Sequence, residues 1–378
     1  MDEDKLFEEI NSCLDCKNCN DVCDTFLTTQ NPLQSPNGRL QIAKKVFNDG
    51  EISEDEKFGL YTCTLCALCD LTCEQNIPIS KIIHASKAKL VEQGKAPYEI
   101  HNKIIKGIVD NDNSVSGNPE ERLDWLPEIY RDQEQYEQAD SDTLLYLGCM
   151  SSFRVKESAT ASYEILKKGG YKFKILKNEP CCGEYVYSAG NLTLAKKIFQ
   201  ENFERFKKHG IKNIIVTCGG CLYAFNNVYP NYINDWDIKV KHIVQVVYEL
   251  ATEGKIKLNP LNRNITYHDA CRMGRKLNGM DIYNEPRELL ANCGLSVGEL
   301  ENNRRQTPCC GAGSGIRGVD SGLCIDIGTQ LINSTKTNEI VSSCPLCVFN
   351  FRYVNYKKKL DKTYRYITDY ILESIEKE

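Results

Sequence analysis

Twenty cysteines in 378 residues carry the chemistry of this chain. Eight of them fall before residue 74, in two copies of one run. Cys13, Cys16, Cys19 and Cys23 read C-x2-C-x2-C-x3-C, and Cys63, Cys66, Cys69 and Cys73 repeat it. This is the ferredoxin spacing for cubane iron–sulfur clusters, in which three close cysteines wrap one face of a cube and the fourth ligates the other cluster. It assigns Cys13, Cys16, Cys19 and Cys73 to one 4Fe–4S cluster and Cys63, Cys66, Cys69 and Cys23 to a second. Asp24 and Glu74 stand where a proline usually follows the fourth cysteine. Zinc is the competing use of such thiols, but it is ordinarily held by two C-x2-C knuckles set well apart.

Ten more cysteines form a second repeat. Cys149, the pair Cys181-Cys182 and Cys218-x2-Cys221 are followed by Cys271, the pair Cys309-Cys310 and Cys344-x2-Cys347. Equivalent positions are offset by 122, 128 and 126 residues, and Gly183 and Gly311 follow the pairs. A near-constant offset is the mark of a tandem duplication. A disulfide between adjacent cysteines is geometrically poor, since neighbouring Cα atoms lie about 3.8 Å apart and disulfides want about 4.4 Å or more. The pairs are therefore expected as paired ligands or an active dithiol. Each copy offers five thiolates where a cubane cluster takes four. Either one thiol per copy is idle or one bridges irons in a noncubane cluster, and retention of all five in both copies favours the second.

The elements that must position these thiols change along the chain. Around the first eight the pattern is helical, with apolar residues at three- and four-residue intervals over Lys5–Asn11, Arg39–Asn48 and Ile79–Gln93. Gln34 to Gly38 is a turn and helix start. Residues 109–142 hold 11 acidic residues against two arginines, with Gly117, Pro119 and Pro127 as breaks, which reads as a solvated, partly helical linker. Beyond it, short apolar strands such as Leu144–Leu147, Ile214–Thr217, Ile265–Tyr267 and Ile340–Ser342 alternate with amphipathic helices such as Leu192–Lys208 and Ile243–Glu253. Strands separated by helices call for parallel sheets, and the cysteines fall where strands end, the edge at which such sheets bind ligands. The fold class is α+β and multidomain: a helical two-cluster ferredoxin-type domain (1–108), the acidic linker (109–142), and two tandem α/β modules (143–260 and 261–378).

Composition narrows the class. With 41% apolar and 26% charged residues the chain is globular, and a net charge of −5 gives no general case for binding nucleic acid. The first ten residues carry five acidic side chains, unlike a secretory signal, and no run approaches 18 apolar residues. A reducing cytosol is the expected compartment, where clustered cysteines more often bind metal than each other.

The ten-cysteine pattern resembles the duplicated cysteine-rich CCG domain, and the whole chain resembles the catalytic subunit family of heterodisulfide reductase. Gly148-Cys149, Pro180-Cys181-Cys182-Gly183, Tyr267-His268-Asp269, Glu285-Pro286-Arg287 and Cys309-Cys310-Gly311-Ala312-Gly313 carry that resemblance together with the ferredoxin runs. It implies two noncubane 4Fe–4S clusters, one on Cys149, Cys181, Cys182, Cys218 and Cys221, the other on Cys271, Cys309, Cys310, Cys344 and Cys347. It also implies reduction of a small-molecule disulfide, the mixed disulfide of coenzymes M and B in methanogens, between the two clusters. Two cubane clusters would feed them. The electron donor would be a membrane cytochrome b, a flavoprotein or a hydrogenase, holding a cytoplasmic chain at the inner face of the membrane. The chain departs from the family pattern at Ala270, Arg272 and Ser314. His268 and Asp269 are the candidate proton donors, and Arg272, Arg275 and Lys276 the candidate anion-binding residues for a sulfonate, phosphate or carboxylate. The alternative is an electron-transfer subunit of a flavin-linked glycerol 3-phosphate, glycolate or lactate dehydrogenase, passing electrons to quinone. Cys293 and Cys324 are left over, expected as small buried hydrophobes. The stretch from Tyr353 to Tyr370 reads as amphipathic helix.

Overall fold

A computed structural model describes residues 3–131, 140–277 and 279–377. It divides into two compact units. The first comprises residues 1–105, 185–195 and 308–333, and the second residues 106–184, 196–307 and 334–378.

In the first unit, helices Glu3–Asn11, Pro36–Phe47, Glu54–Tyr61 and Ile79–Glu92 pack through Leu6, Leu40, Ile42, Val46, Leu60 and Ile82. Their starts are encoded locally. Ser35 accepts from the Gly38 amide with Pro36 in the first helical turn, and Ser53 and Glu56 form a reciprocal capping box. Each ferredoxin run curls through two left-handed residues at the same places, Asp15 and Lys17 in one and Leu65 and Ala67 in the other, with φ between 51° and 64°. The repeated curl is what brings three cysteines of one run to one side.

The second unit holds two parallel sheets. Strands β1 (Thr143–Tyr146), β2 (Asn213–Val216) and β3 (Lys239–His242) lie in the order β1-β2-β3. Strands β4 (Arg263–His268), β5 (Leu295–Glu299), β6 (Glu339–Ser342) and β7 (Thr363–Tyr366) lie in the order β5-β4-β6-β7. All pairings are parallel. The register repeats with the sequence: His242 pairs with Val216 at the end of one sheet, and Tyr366 with Ser342 at the end of the other.

Two expectations change. The acidic stretch is not simply solvated: Asn113, Arg122, Trp125 and Leu126 are buried, and Trp125 meets the Tyr163 ring at 5.7 Å. Its charges dominate the composition, but a few large side chains decide where it packs. Residues 132–139 of that stretch lie outside the described residues. The Tyr353–Tyr370 segment is the end of helix Pro345–Lys358, then β7, then the start of helix Ile367–Glu376. Its closely spaced tyrosines fit either period, and the short strand is fixed by pairing with β6. Cys293 and Cys324 are both fully buried, as small hydrophobes should be.

Candidate iron–sulfur sites

The first unit holds two cysteine-lined cavities. One is lined by Cys13, Cys16, Cys19 and Cys73, with Leu14, Lys17, Asn37 and Leu40. The other is lined by Cys23, Cys63, Cys66 and Cys69, with Asp24, Arg39, Ser80 and Ile83. These are the two groupings the spacing implied, each with its fourth thiol from the other run. Burial, then the charges of Cys13, Cys73 and Cys16, push the Cys19 thiol up to about 12, so the four sulfurs crowd one another. Such a set, all thiol with no imidazole, suits iron–sulfur clusters, whose positive irons relieve the crowding. The second cavity contains one fixed cation: Arg39, 1% exposed, donates from Nη1 to Cys23 Sγ at 3.7 Å and from Nε to the Gly59 carbonyl. Cys16 is exposed whereas Cys19, Cys63 and Cys69 are buried, so the first cavity lies nearer the surface.

The first module gathers its five cysteines, all buried, at the carboxyl ends of β1 and β2. Cys149 Sγ lies 3.7 Å from Cys181 Sγ. The thiols of Cys181 and Cys221 hydrogen-bond Cys182 and pull it down to about 6. The chain of thiols continues through Cys218, which neighbours both Cys221 and Cys344. Hydrogen bonds from Cys218 and then Cys347 pull Cys344 down in turn. Hence the C-x2-C groups of the two modules meet at their strand ends.

Buried donors hold the Cys181-Cys182 pair by its carbonyls. Tyr146 Oη donates to Pro180 (2.6 Å), Asn202 Nδ2 to Cys181 (2.8 Å) and Tyr229 Oη to Cys182 (3.1 Å). Glu179, buried beside the pair, accepts from the Leu147 and Gly148 amides at 2.8 Å each, and Arg122 lies 3.6 Å away. Sequence reasoning passed over these residues. Only Glu179, directly before Pro180-Cys181, carried a positional signal; the others read as ordinary core. Gly183 and Gly311 adopt φ of +74° and +91°, which explains the glycine after each pair.

In the second module Cys344 opens helix Pro345–Lys358 after β6, and Cys271 follows β4. Cys271, Cys344 and Cys347 belong to the second compact unit and Cys309 and Cys310 to the first. Asp269 is fully engaged: Arg287 Nη1 and Nη2 donate to its two oxygens at 2.8 Å each, and the Arg304 amide at 2.7 Å. This gives Arg287 of the Glu-Pro-Arg motif its role as a clamp. His268 Nδ1 lies 3.4 Å from Ser342 Oγ, with its ring edge-on to Phe351. Arg272, 9% exposed, pairs with Glu184 at 2.5 Å and lies over the Tyr223 ring, as does Lys276 Nζ. It packs on Gly219 and Gly220, between Cys218 and Cys221. Arg275 instead donates to the Arg305 and Thr307 carbonyls. Among the three cations, Arg272 and Lys276 are brought together and Arg275 is turned to a backbone task.

Fold and thiols together define a class of iron–sulfur protein in which a dicluster ferredoxin domain precedes two cysteine-rich modules. The chain matches the 4Fe–4S dicluster domain over residues 9–77 and the cysteine-rich domain CCG over residues 143–226 and 265–352. It belongs to the CCG cysteine-rich family. It is 27% identical to a subunit of the dihydromethanophenazine:CoB–CoM heterodisulfide reductase of Methanosarcina barkeri over 368 residues, covering 90% of this chain and 88% of that one. With the corresponding subunit from Methanosarcina mazei the identity is 25%, covering 97% and 94%. The EtfAB:quinone oxidoreductase of Syntrophomonas wolfei is 32% identical over 313 residues, which are 76% of this chain and 42% of that protein. No described helix is long and apolar enough to cross a membrane.

Proposed function

We propose that this iron–sulfur oxidoreductase reduces a small-molecule disulfide, with electrons delivered by a partner subunit through its ferredoxin domain. The observation that carries this reading is the continuous line of buried thiols that joins all five cysteines of the first module to Cys344 and Cys347 of the second. A module kept only for structure would not need all five.

The overall step is disulfide plus two electrons plus two protons to two thiols. Iron–sulfur clusters, when bound, supply one-electron transfer and iron sites that hold sulfur. Cys13, Cys16, Cys19 and Cys73 would hold one cubane cluster, and Cys23, Cys63, Cys66 and Cys69 the other. Cys149, Cys181, Cys182, Cys218 and Cys221 would hold one noncubane cluster, and by the repeat Cys271, Cys309, Cys310, Cys344 and Cys347 the second. Tyr146, Asn202 and Tyr229 fix the first pair, so binding costs little reorganisation. Arg272, beside Cys218 and Cys221, is paired with Glu184, so Lys276, whose Nζ lies over the same Tyr223 ring, is the cation left to orient an anionic substrate. Asp269 anchors the loop before Cys271 through Arg287, leaving His268 as the proton-carrying candidate.

The similarity to an EtfAB:quinone oxidoreductase favours a second reading, in which the chain passes electrons onward to quinone. Electron paramagnetic resonance of the anaerobic protein separates the two: a signal that changes on adding thiols supports disulfide chemistry, and indifference to thiols supports onward transfer.

A further inference from the structure

Asp24 stands where ferredoxin runs usually carry proline, and the structure gives that departure a partner. Its Oδ2 accepts the Cys309 amide at 2.8 Å, a contact 285 residues apart in sequence within the first compact unit. Glu74, its counterpart in the other run, instead accepts from Asn18 Nδ2 at 3.1 Å, inside the ferredoxin domain. The two equivalent positions have diverged, and only Asp24 reaches a cysteine of a CCG pair.

Two further contacts hold the same loop. A Cβ on Gly313 would lie 2.4 Å from the carbonyl oxygen of Thr64, the neighbour of Cys63, so the loop lies directly on that ligand segment. Lys87, fully buried, donates from Nζ to Ser314 Oγ at 3.0 Å, and Ser314 is held at φ 53°. Lys87 follows Ile83 and Ser80 on one face of helix Ile79–Glu92, and those two residues line the cavity of Cys23, Cys63, Cys66 and Cys69. Residues 309–314 are thus held by two hydrogen bonds and one close backbone approach to segments that wall or adjoin one cysteine cavity.

We propose that Asp24 is a positioning residue for electron hand-off from the Cys23/Cys63/Cys66/Cys69 set to the Cys309-Cys310 pair. This rests on the cluster assignment above. The transfer moves one electron and makes or breaks no bond: the cluster that Cys23, Cys63, Cys66 and Cys69 would hold gives up one electron, and the cluster that Cys309 and Cys310 would help to hold gains it. The electron comes from a low-potential one-electron donor, a reduced iron–sulfur or flavin partner in the complex and dithionite in the test. Coupling between redox sites falls steeply with separation, and a hydrogen bond from Cys309, a member of one ligand set, to Asp24, next to Cys23 of the other, holds the two sets close.

The test uses the iron-loaded chain mixed with limiting dithionite and freeze-quenched for electron paramagnetic resonance. Asp24→Ala should delay the reduced CCG signal several-fold while the ferredoxin-type signals form at the wild-type rate. Asp24→Asn, which keeps an acceptor oxygen, should stay close to wild type. Hydrogen exchange gives a readout apart from electron flow: the Cys309 amide should be protected in wild type and Asp24→Asn and exchange faster in Asp24→Ala. Should Asp24→Ala fail to load iron, Gly313→Ala, which pushes the loop off Thr64, should delay the same signal. An unaltered CCG rate in either variant that loads iron, or an unprotected Cys309 amide in the wild type, overturns the proposal. Iron content distinguishes the two failures, since a chain lacking the CCG clusters defeats the cluster assignment whatever the amide of Cys309 does.

Discussion

Tyr366 Oη donates a 2.6 Å hydrogen bond to the carbonyl of Thr217, the residue before Cys218. Tyr366 ends the last strand of the second module, so a side chain of one module supports the cysteine loop of the other. His242 holds the matching strand-end position in the first sheet and is also fully buried. Tyr366→Phe removes this buried donor, a loss of roughly 0.5–1.5 kcal/mol. Anaerobic denaturant unfolding should show that loss. A wild-type midpoint would mean that the bond contributes nothing.

Asn202 serves two buried oxygens, the Cys181 carbonyl and Tyr229 Oη, each at 2.8 Å. Asn202→Leu should loosen the Cys181-Cys182 loop and reduce the iron bound by the first module, while the ferredoxin-type signals keep their intensity. Iron analysis paired with spectroscopy reads both at once.

The glycine after each cysteine pair admits no side chain. A Cβ at Gly183 would approach Phe199 to 2.9 Å, and one at Gly311 would approach the Cys324 carbonyl to 2.7 Å, at φ of +74° and +91°. Gly183→Ala and Gly311→Ala should each destabilise by roughly 1–3 kcal/mol, from left-handed strain and contact together. Thermal unfolding under anaerobic conditions measures this.

Burial, then the neighbouring charge of Glu157, raises the Asp369 carboxyl to about 7 against opposition from Arg365 and Arg352. Its folded pKa exceeds its unfolded one, so the folded state binds the proton more tightly. The associated stability is complete below about pH 4 and is lost as the pH rises through 7. Asp369→Asn should therefore gain relative to wild type as the pH rises from 5 to 8, by on the order of 2 kcal/mol. A constant difference across that range would contradict the assignment.

What the sequence made legible follows from where the information lay. The grouping of Cys13, Cys16 and Cys19 with Cys73 follows from a local loop whose short spacing leaves few geometries. β1, β2, β4 and β6 are apolar runs that announce themselves. β3 and β7 read Lys-Val-Lys-His and Thr-Tyr-Arg-Tyr, four residues each, and their strand state is set by a neighbouring strand rather than by composition. The donors to the Cys181-Cys182 loop were invisible for a similar reason. Tyr146 and Tyr229 look like core, and only folding shows that their hydroxyls face carbonyls. The Asp24–Cys309 bond leaves no pattern at all, because nothing local links residues so far apart.

The central claim is that two ferredoxin-type sets and two five-thiol modules each hold a cluster and that the modules act on sulfur. Iron and sulfide analysis of the anaerobic chain, with electron paramagnetic resonance before and after adding thiol, tests it most directly. The account predicts about 16 irons and a similar amount of sulfide per chain, as four 4Fe–4S clusters require, together with a thiol-dependent signal. About eight irons, or a spectrum indifferent to thiols, would contradict it.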